Sequence, residues 1–428
     1  MEQIISLSRY KIEKNQQNRL KFTFLDICIL TLFVMFNASS ASYLANDVFV
    51  VAIFVLLLVI FFWKKCKLDK EIYCILGVWI IINIISSIVN FNQNFNVITF
   101  CGVTLRMLMP YVMVKIVGRT FWDKFFKFSY VLVLISSIFW LVESFFPQII
   151  ETLVPYLNFM TIREQEIKGG FYIFVYMHSG WAERMGFFVR NSGFMWEPGA
   201  YSCVLIFMLV YHLCKIKYQL DKKVIILSLV ILSTFSTAGY AALFIVYIFF
   251  FIKNKILRKY FFLIPVFLIG FISFAIDFYN NSEFMSGKVN MYLEYDKKVN
   301  MWEFEGQRVL QVTRLGIIKI STENALRRPW GEGIYTSEYI LKKYGNVIGP
   351  SSTAIILMQW GWLGLFVLCL SLYNFSACKT KGGWMLLLPM FVVLSSNPFL
   401  FRYLVYAIIF EYLIYNRHLK NAKIKAIS

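Results

Sequence analysis

Charged side chains are scarce in this sequence: Asp, Glu, Lys and Arg make up 16% of the 428 residues. In a soluble domain such residues usually make up about a quarter of the chain. Hydrophobic residues make up 59%, and the mean hydropathy is +0.64. Apolar runs such as 50–63 and 224–251 carry almost no charge, and runs of bilayer length recur along the chain. This pattern excludes an ordinary soluble domain and predicts a membrane protein.

Metal-binding and secretory signals are also lacking. The eight cysteines form no CxxC or Cys/His pair of the kind that holds zinc. The N-terminus is a polar, basic stretch of about twenty residues that leads into a full-length apolar run, so we expect the first span to be retained. Because the sequence has no such Cys or Cys/His pattern, we predict neither a metal nor another cofactor.

Positive charge exceeds negative charge, and the formal net charge is +19. In a soluble protein this balance would suggest a nucleic-acid partner. Here the Lys and Arg residues cluster between apolar runs, where they set topology and contact anionic lipids. We therefore expect membrane lipid as a partner and no nucleic acid.

We predict an all-α polytopic membrane protein with one integral membrane domain, residues 1–428, and about 12 transmembrane helices. The seventh and eighth spans are short and tightly joined at 236–239, so the pair could instead be one long, broken helix. The predicted spans are residues 22–41, 45–63, 72–90, 97–117, 126–146, 198–214, 224–237, 238–252, 260–278, 351–373, 383–397 and 400–415.

Basic residues occur in every second short link between these spans, and Arg402 is the one stray charge. The positive-inside rule then places both termini in the cytoplasm. Two long segments, 147–197 and 279–350, become large periplasmic loops, which we expect to contain short amphipathic helices. All eight cysteines fall in spans or cytoplasmic links, which is compatible with a bacterial inner membrane.

Loops of this length are uncommon unless they have a function. Both loops are rich in charged residues and in aromatic residues such as Trp181 and Trp330. The rings either anchor the protein at the membrane interface or line a cleft that grips a lipid-linked sugar. His178 is the only outward histidine, and we expect it to be an interfacial polar residue rather than a base.

The first notable segment is Arg190-Asn-Ser-Gly-Phe-Met-Trp-Glu197-Pro198, which leads into the sixth span. Pro198 suits the first turn of a helix and pushes Glu197 toward an extended conformation. Glu197 therefore lies at the positive end of a transmembrane helix. It either caps this helix or accepts a proton from a sugar hydroxyl.

Two further segments lie in the second loop and at its end. Residues 309–326 show helical apolar spacing, which predicts an interfacial amphipathic helix ended by Pro329 and a glycine-rich turn at 329–333. Arginines here either contact anionic headgroups or bind a pyrophosphate through paired hydrogen bonds. Segments 349–353 and 359–364 supply small residues for close packing of the tenth span.

At these three segments the chain resembles the bacterial O-antigen polymerase and ligase superfamily of integral membrane glycosyltransferases. The motif R-x-x-G-x-x-x-E-P, from Arg190 to Pro198, resembles the polymerase branch. Arg314 precedes Pro329 by fifteen residues, which is similar to the spacing of a Ser/Thr-Arg before P-x-G-x-G in the family. The resemblance covers roughly residues 184–364.

One departure from the family pattern favours the polymerase over the ligase. Ligases carry a histidine before the final Gly-x-x-Gly, whereas Pro350 and Ser351 stand at the corresponding place in this chain. The implied reaction extends a surface polysaccharide on undecaprenyl pyrophosphate at the periplasmic face. The growing chain passes from its lipid carrier to the non-reducing end of a new lipid-linked repeat unit.

The resemblance also implies roles for individual residues in a metal-independent transfer. Arg190 and Arg314 would hold the leaving pyrophosphate, and Glu197 would act as the catalytic base. A chain-length regulator protein is a further candidate partner. Substrate contacts are expected from Arg308, Arg184, Glu323, Arg106, Trp196 and Tyr201, and the next candidates for the base are Glu323 and Glu303.

Arg106 lies within the fourth predicted span, where a charge costs about 2.5–3.5 kcal/mol on insertion scales. We expect it to face the bundle interior or a wet cavity. It is either paired with Glu143 or a backbone carbonyl, or it lines a groove for the lipid carrier.

Two other functions compete with the polymerase. An O-antigen ligase or a related transferase would belong to the same superfamily. A flippase for lipid-linked sugars also has many spans, but such transporters usually show two similar halves and short outer loops. The long, asymmetric outer loops of this chain favour an enzyme.

Overall fold

The computed structural model shows a protein built mainly of helices. It describes residues 21–38, 47–89, 95–157, 170–178, 184–185, 188–254, 273, 300–304, 307–311, 314–335, 346–348, 351–377, 383–396 and 403–410. Only the backbone is described at residues 38, 184–185, 300–304, 307–311, 314–315, 346–348, 377 and 383.

The helices follow the apolar runs of the sequence. Residues 403–410 are also helical, and 3₁₀ turns cover Gly118–Thr120 and Gly383–Leu386. In chain order, the α-helices are α1 (Phe24–Ala38), α2 (Asp47–Trp63), α3 (Lys70–Val89), α4 (Val97–Val117), α5 (Phe121–Phe145), α6 (Pro147–Glu151), α7 (Val154–Leu157), α8 (Pro198–Lys215), α9 (Lys222–Ser233), α10 (Thr237–Lys253), α11 (Arg314–Arg327), α12 (Ser352–Ala377) and α13 (Leu387–Ser395).

Four helical stretches are long and apolar enough to cross a membrane, namely Lys70–Val89, Val97–Phe145, Pro198–Lys215 and Ser352–Ser376. Shorter apolar helices accompany them, so the chain is a helical, multi-pass membrane protein. Each predicted span except the ninth coincides with a helix. The ninth, 260–278, lies almost entirely outside the described residues.

Short strands occur in both predicted loops, where only short helices were expected. They are β1 (Phe171–Ile173), β2 (Tyr176–His178), β3 (Arg184–Met185), β4 (Phe188–Val189), β5 (Asn300–Phe304), β6 (Gln307–Gln311) and β7 (Asn346–Ile348). β1–β2, β3–β4 and β5–β6 pair antiparallel, and β7 joins β6 in parallel. The prediction of helix over 309–326 is therefore wrong at 309–311, which belongs to β6, because ladder bonds to β5 and β7 override the local apolar spacing.

The predicted seventh and eighth spans are two helices rather than one broken helix. Asp221 caps the start of α9, and Ser236 caps the start of α10 because its hydroxyl oxygen accepts a hydrogen bond from the Gly239 amide. The link between the two helices is only three residues, 234–236. Local capping therefore starts a new helix at this position.

α8 is the central helix of the bundle. Nearly all of its residues are buried, and it packs against α9, α10, α12 and α13. Gly239 allows α10 to approach closely, since a Cβ at this position would lie 2.8 Å from the Cβ of Ser202. The start of α8 is thereby held against the α9–α10 link.

The basic links lie together on one face of the bundle, which we call the basic face. Lys124 Nζ lies 2.7 Å from Asp26 Oδ2, and Lys115 Nζ lies 2.8 Å from Asp69 Oδ2. Further contacts on this face join Asp123 to Lys215 and Tyr218 to Asn254. All of these residues lie at helix ends that are predicted to share the cytoplasmic side.

The opposite helix ends also contact one another, on what we call the loop face. The Leu404 amide donates to Asn37 Oδ1 at 2.6 Å, and the Ile334 amide donates to Asn83 Oδ1 at 2.9 Å. These contacts agree with the predicted alternation of the helices. Which face is cytoplasmic remains a prediction from the positive-inside rule.

Candidate functional site

The segment from Arg190 to Glu197, which we call the motif segment, is fixed on the α9–α10 link. The Asn191 amide donates to the Ser233 carbonyl at 3.0 Å, and Asn191 Nδ2 donates to Ser233 Oγ at 2.8 Å. Asn191 Oδ1 accepts from the Gly193 amide at 2.9 Å. Residues 191–195 are all buried, so this irregular backbone lies inside the protein, and these hydrogen bonds engage several of its polar groups.

Gly193 is required by the close approach of Tyr201. Its φ is +54°, and a Cβ would lie 2.3 Å from the Tyr201 ring. Tyr201 itself is fully buried, and its hydroxyl lies 3.0 Å from the Ser136 hydroxyl on α5. The structure thus places Tyr201 beneath the motif segment, while Trp196 is partly buried next to Glu197. The prediction that both contact substrate remains a prediction.

Arg190 lies at the start of the motif segment and is partly buried. Its Nη2 donates to the Phe235 carbonyl in the α9–α10 link at 3.4 Å. The Tyr240 side chain lies near enough for its phenol to interact electrostatically with the guanidinium. A cation is therefore held beside the link, at the place where α10 begins.

Glu197 has the backbone geometry that Pro198 predicts. It is the N-cap of α8, with φ −152° and ψ 156°, and Pro198 occupies the first turn. The side chain makes no capping hydrogen bond. Among the described residues, no hydrogen bond or ion pair engages its carboxylate. Glu197 therefore caps α8 by its position and backbone geometry but without a side-chain hydrogen bond, and its carboxylate can also meet a ligand.

A cluster of Glu143, Tyr176 and His178, which sequence reasoning did not assemble, lies beside the motif segment. Glu143 is 3% exposed in the last turn of α5. Its Oε2 accepts a hydrogen bond from the Tyr176 hydroxyl, and its Oε1 lies 2.9 Å from His178 Nδ1. Tyr176 and His178 are two residues apart on β2, so both side chains lie on the same face of the strand.

This cluster is joined to the motif segment through the neighbouring residue of β2. The Met177 amide donates to the Gly193 carbonyl at 2.7 Å. Burial, together with the Glu143 carboxylate, raises the pKa of Tyr176 well above its ordinary value, so the phenol stays protonated as a donor. The signal available in the sequence was only an outward histidine and a carboxylate near the end of a predicted span.

The glycine-rich turn 329–333 packs into a kink of α12. At Gly361 the backbone has φ 60° and ψ −153°, which interrupts the helix. A Cβ at Gly361 would lie 1.9 Å from the Pro329 carbonyl oxygen. The second and third segments that the sequence singled out are therefore in direct contact.

Hydrogen bonds are exchanged at this kink rather than lost. The Trp362 amide would normally donate to the Met358 carbonyl, but it donates to the Pro329 carbonyl at 2.9 Å instead. The Met358 carbonyl accepts from the Glu332 amide at 2.8 Å. A second bond of this kind, 3.0 Å long, joins the next amide of the turn to the Gln359 carbonyl. The turn thus supplies hydrogen-bond partners for backbone groups that the interruption of the helix leaves unpaired.

An apolar cavity of about 170 Å³ adjoins the kink. Its lining residues, which come from α3, α4, α12 and the helix 403–410, include Cys74, Met107, Trp360, Gly364 and Tyr406. Its lining is almost wholly apolar, which suits hydrocarbon better than water.

Arg106 pairs with Asp47, so the predicted pairing with Glu143 is wrong. Arg106 Nη2 lies 2.9 Å from Asp47 Oδ1 at the start of α2, and 40% of the arginine side chain is exposed. Glu143 is instead occupied by Tyr176 and His178. The long arginine side chain reaches along the bundle to a carboxylate at the helix end.

The remaining predicted site residues lie in the strands and in α11. Arg184 is in β3 and pairs with Val189 of β4, and Arg308 stands opposite Glu303 in the β5–β6 ladder. Arg314 is the first residue of α11, and Glu323 lies partly buried in the same helix. Their roles remain predictions.

Among the residues that the structure describes, no group of three or more His, Cys, Asp or Glu side chains could hold a metal ion. Comparison with known protein families, with curated proteins and with solved structures finds no match to this chain.

Proposed function

We propose that this protein is a surface-polysaccharide polymerase of the O-antigen type. It would join undecaprenyl-pyrophosphate-linked repeat units at the periplasmic face of the bacterial inner membrane. The observation that carries the proposal is the buried motif segment, which presents the partly buried Arg190 and the unengaged carboxylate of Glu197 at one end of a membrane helix bundle.

The length of α9 indicates the depth of the motif segment in the membrane. α9 has 12 residues and is about 18 Å long, whereas a hydrocarbon core is about 30 Å thick. Starting from the basic face, α9 therefore ends short of the opposite boundary. The motif segment seated on its last residue therefore lies below that boundary, and the reacting group of a substrate would have to enter the bundle to meet it.

The reaction assigns distinct tasks to the two side chains. Glu197 takes the proton from a hydroxyl of the acceptor sugar, and the hydroxyl oxygen bonds to the anomeric carbon of the growing chain. The bond from that carbon to the diphosphate oxygen breaks, and its electron pair leaves with the diphosphate. Arg190, with Arg314 from α11, neutralises the departing charge. The apolar cavity at the Gly361 kink would accommodate part of the carrier chain.

The test uses purified full-length protein, vesicles and a defined undecaprenyl-pyrophosphate-linked repeat unit. The wild-type protein is expected to form long polymer. Arg190→Ala should lower the rate by about a hundredfold or more because a charge clamp on a leaving group is lost. Arg119→Ala removes an exposed arginine from the link between α4 and α5 on the basic face and should leave the rate unchanged.

Other results would overturn the proposal. Transfer of a single glycan to a different lipid acceptor would identify a ligase, and movement of the lipid-linked unit across the vesicle without chain growth would identify a flippase. In cells, loss of the polymerase should leave surface glycans with one repeat unit, whereas loss of a ligase or flippase should leave none.

A further inference from the structure

The two ring nitrogens of His178 differ in their surroundings. Nδ1 contacts Glu143, whereas Nε2 has no hydrogen-bond partner among the described residues. Nε2 is not fully buried, so it can reach solvent or a ligand. A histidine that is fixed through one nitrogen and accessible through the other is suited to move a proton.

The carboxylate of Glu143 fixes the orientation of this imidazole. Both carboxylate oxygens are engaged, one by His178 and one by the Tyr176 hydroxyl. Phe171 lies against the imidazole with ring centroids 5.4 Å apart, and Tyr176 stacks on Phe139. Glu143 is thus the partner that holds the imidazole in mainly apolar surroundings.

His178 and Arg190 both lie close to the backbone contact between β2 and the motif segment. The hydrogen bond between Met177 and Gly193 joins β2 to the motif segment. His178 follows Met177 directly, and Arg190 precedes Gly193 by three residues. Two groups able to carry positive charge therefore lie within a few residues of one backbone junction.

We propose that His178, oriented by Glu143, is the proton donor to the departing diphosphate. This inference rests on the proposed polymerase function and adds a catalytic residue to it. As the anomeric carbon–oxygen bond breaks, the diphosphate oxygen takes the proton from Nε2 while Glu197 takes the proton of the acceptor hydroxyl. Turnover is completed when His178 regains a proton from water and Glu197 loses one to water.

The test measures polymer formation from the same lipid-linked repeat unit by His178 variants. His178→Gln should lower kcat by about a hundredfold or more, since general acid catalysis contributes roughly 10²–10⁴-fold. Glu143→Gln should lower kcat by about 10- to 100-fold, as expected for a positioning residue behind a functional histidine. Added imidazole should restore part of the rate of His178→Ala, which a purely structural role would not allow.

His212 provides a matched control on the basic face. Its Nε2 lies 2.8 Å from Asp221 Oδ2, so it forms the same kind of imidazole–carboxylate contact at the other end of the bundle. His212→Gln should retain the wild-type rate. The inference is overturned if His178→Gln polymerises at the wild-type rate. It is also overturned if imidazole restores none of the rate lost in His178→Ala. Absence of polymer with the wild-type protein would instead overturn the proposed function.

Discussion

Glu197 combines a position that the local sequence dictates with a side chain that the structure leaves available. Pro198 fixes the first turn of α8, and the residue before it adopts an extended backbone. The positive end of the helix dipole lies at this point. Because no described side chain engages this carboxylate, a sugar hydroxyl can approach it.

Glu197→Gln is expected to lower the rate of polymer formation by about a hundredfold or more, since the amide keeps the shape but cannot accept the proton. Binding of the lipid-linked repeat unit should change much less. Glu151→Gln, an exposed carboxylate in the same predicted loop, is the matched control and should behave as wild type. Wild-type turnover by Glu197→Gln would remove Glu197 from the role of base.

At the scale of elements, the contact between the turn 329–333 and α12 depends on glycine. Gly361 and Gly331 have φ values of 60° and 82°, and the Pro329 carbonyl occupies the space of a side chain at position 361. The residue that follows the turn contacts α3, because the Ile334 amide donates to Asn83 Oδ1. This junction therefore sets the position of the end of α11 against two membrane helices.

Gly361→Ala should destabilise the protein by at least about 2–3 kcal/mol, because it adds both a strained backbone and a clash with a carbonyl group. Thermal unfolding in detergent would show this as a lower Tm. Gly102→Ala is the matched control, since nothing lies within 4 Å of a Cβ added there in α4. It should be neutral or stabilise the protein. Equal Tm values for the two variants would contradict the kink.

At the scale of the whole molecule, the contacts sort the helix ends onto two faces. Ion pairs of lysine and aspartate hold the basic face, whereas asparagine side chains bonded to backbone amides join elements on the loop face. The motif segment and the turn 329–333 both contact elements of the loop face. A site that uses both segments would therefore open on one side of the membrane.

The topology can be tested with two cysteine substitutions at exposed positions. Tyr156 is 75% exposed in α7 and Leu220 is 58% exposed between α8 and α9. A membrane-impermeant maleimide added to intact cells should label Tyr156→Cys, and it should label Leu220→Cys only after permeabilisation. The unsubstituted chain measures labelling of the eight native cysteines. The opposite pattern would invert the predicted orientation.

The sequence alone predicted most of the helices and much of one part of the candidate site. Apolar run length and charge placement are local properties, so the spans that form α1–α5 and α8–α10 could be located to within a few residues. The extended geometry of Glu197 follows from a single neighbouring proline. The strand at 309–311 was missed because its pairing partners are distant segments, which local spacing does not reveal.

By itself the sequence determined that the protein is embedded in a membrane and that Glu197 opens a helix, since both depend on residues close together in the chain. Only the tertiary structure decided which distant groups meet. Glu143 binds Tyr176 and His178 rather than Arg106, and the Pro329 carbonyl enters the kink at Gly361. Such contacts depend on how the helices pack, because packing decides which polar groups, once buried, can find a partner.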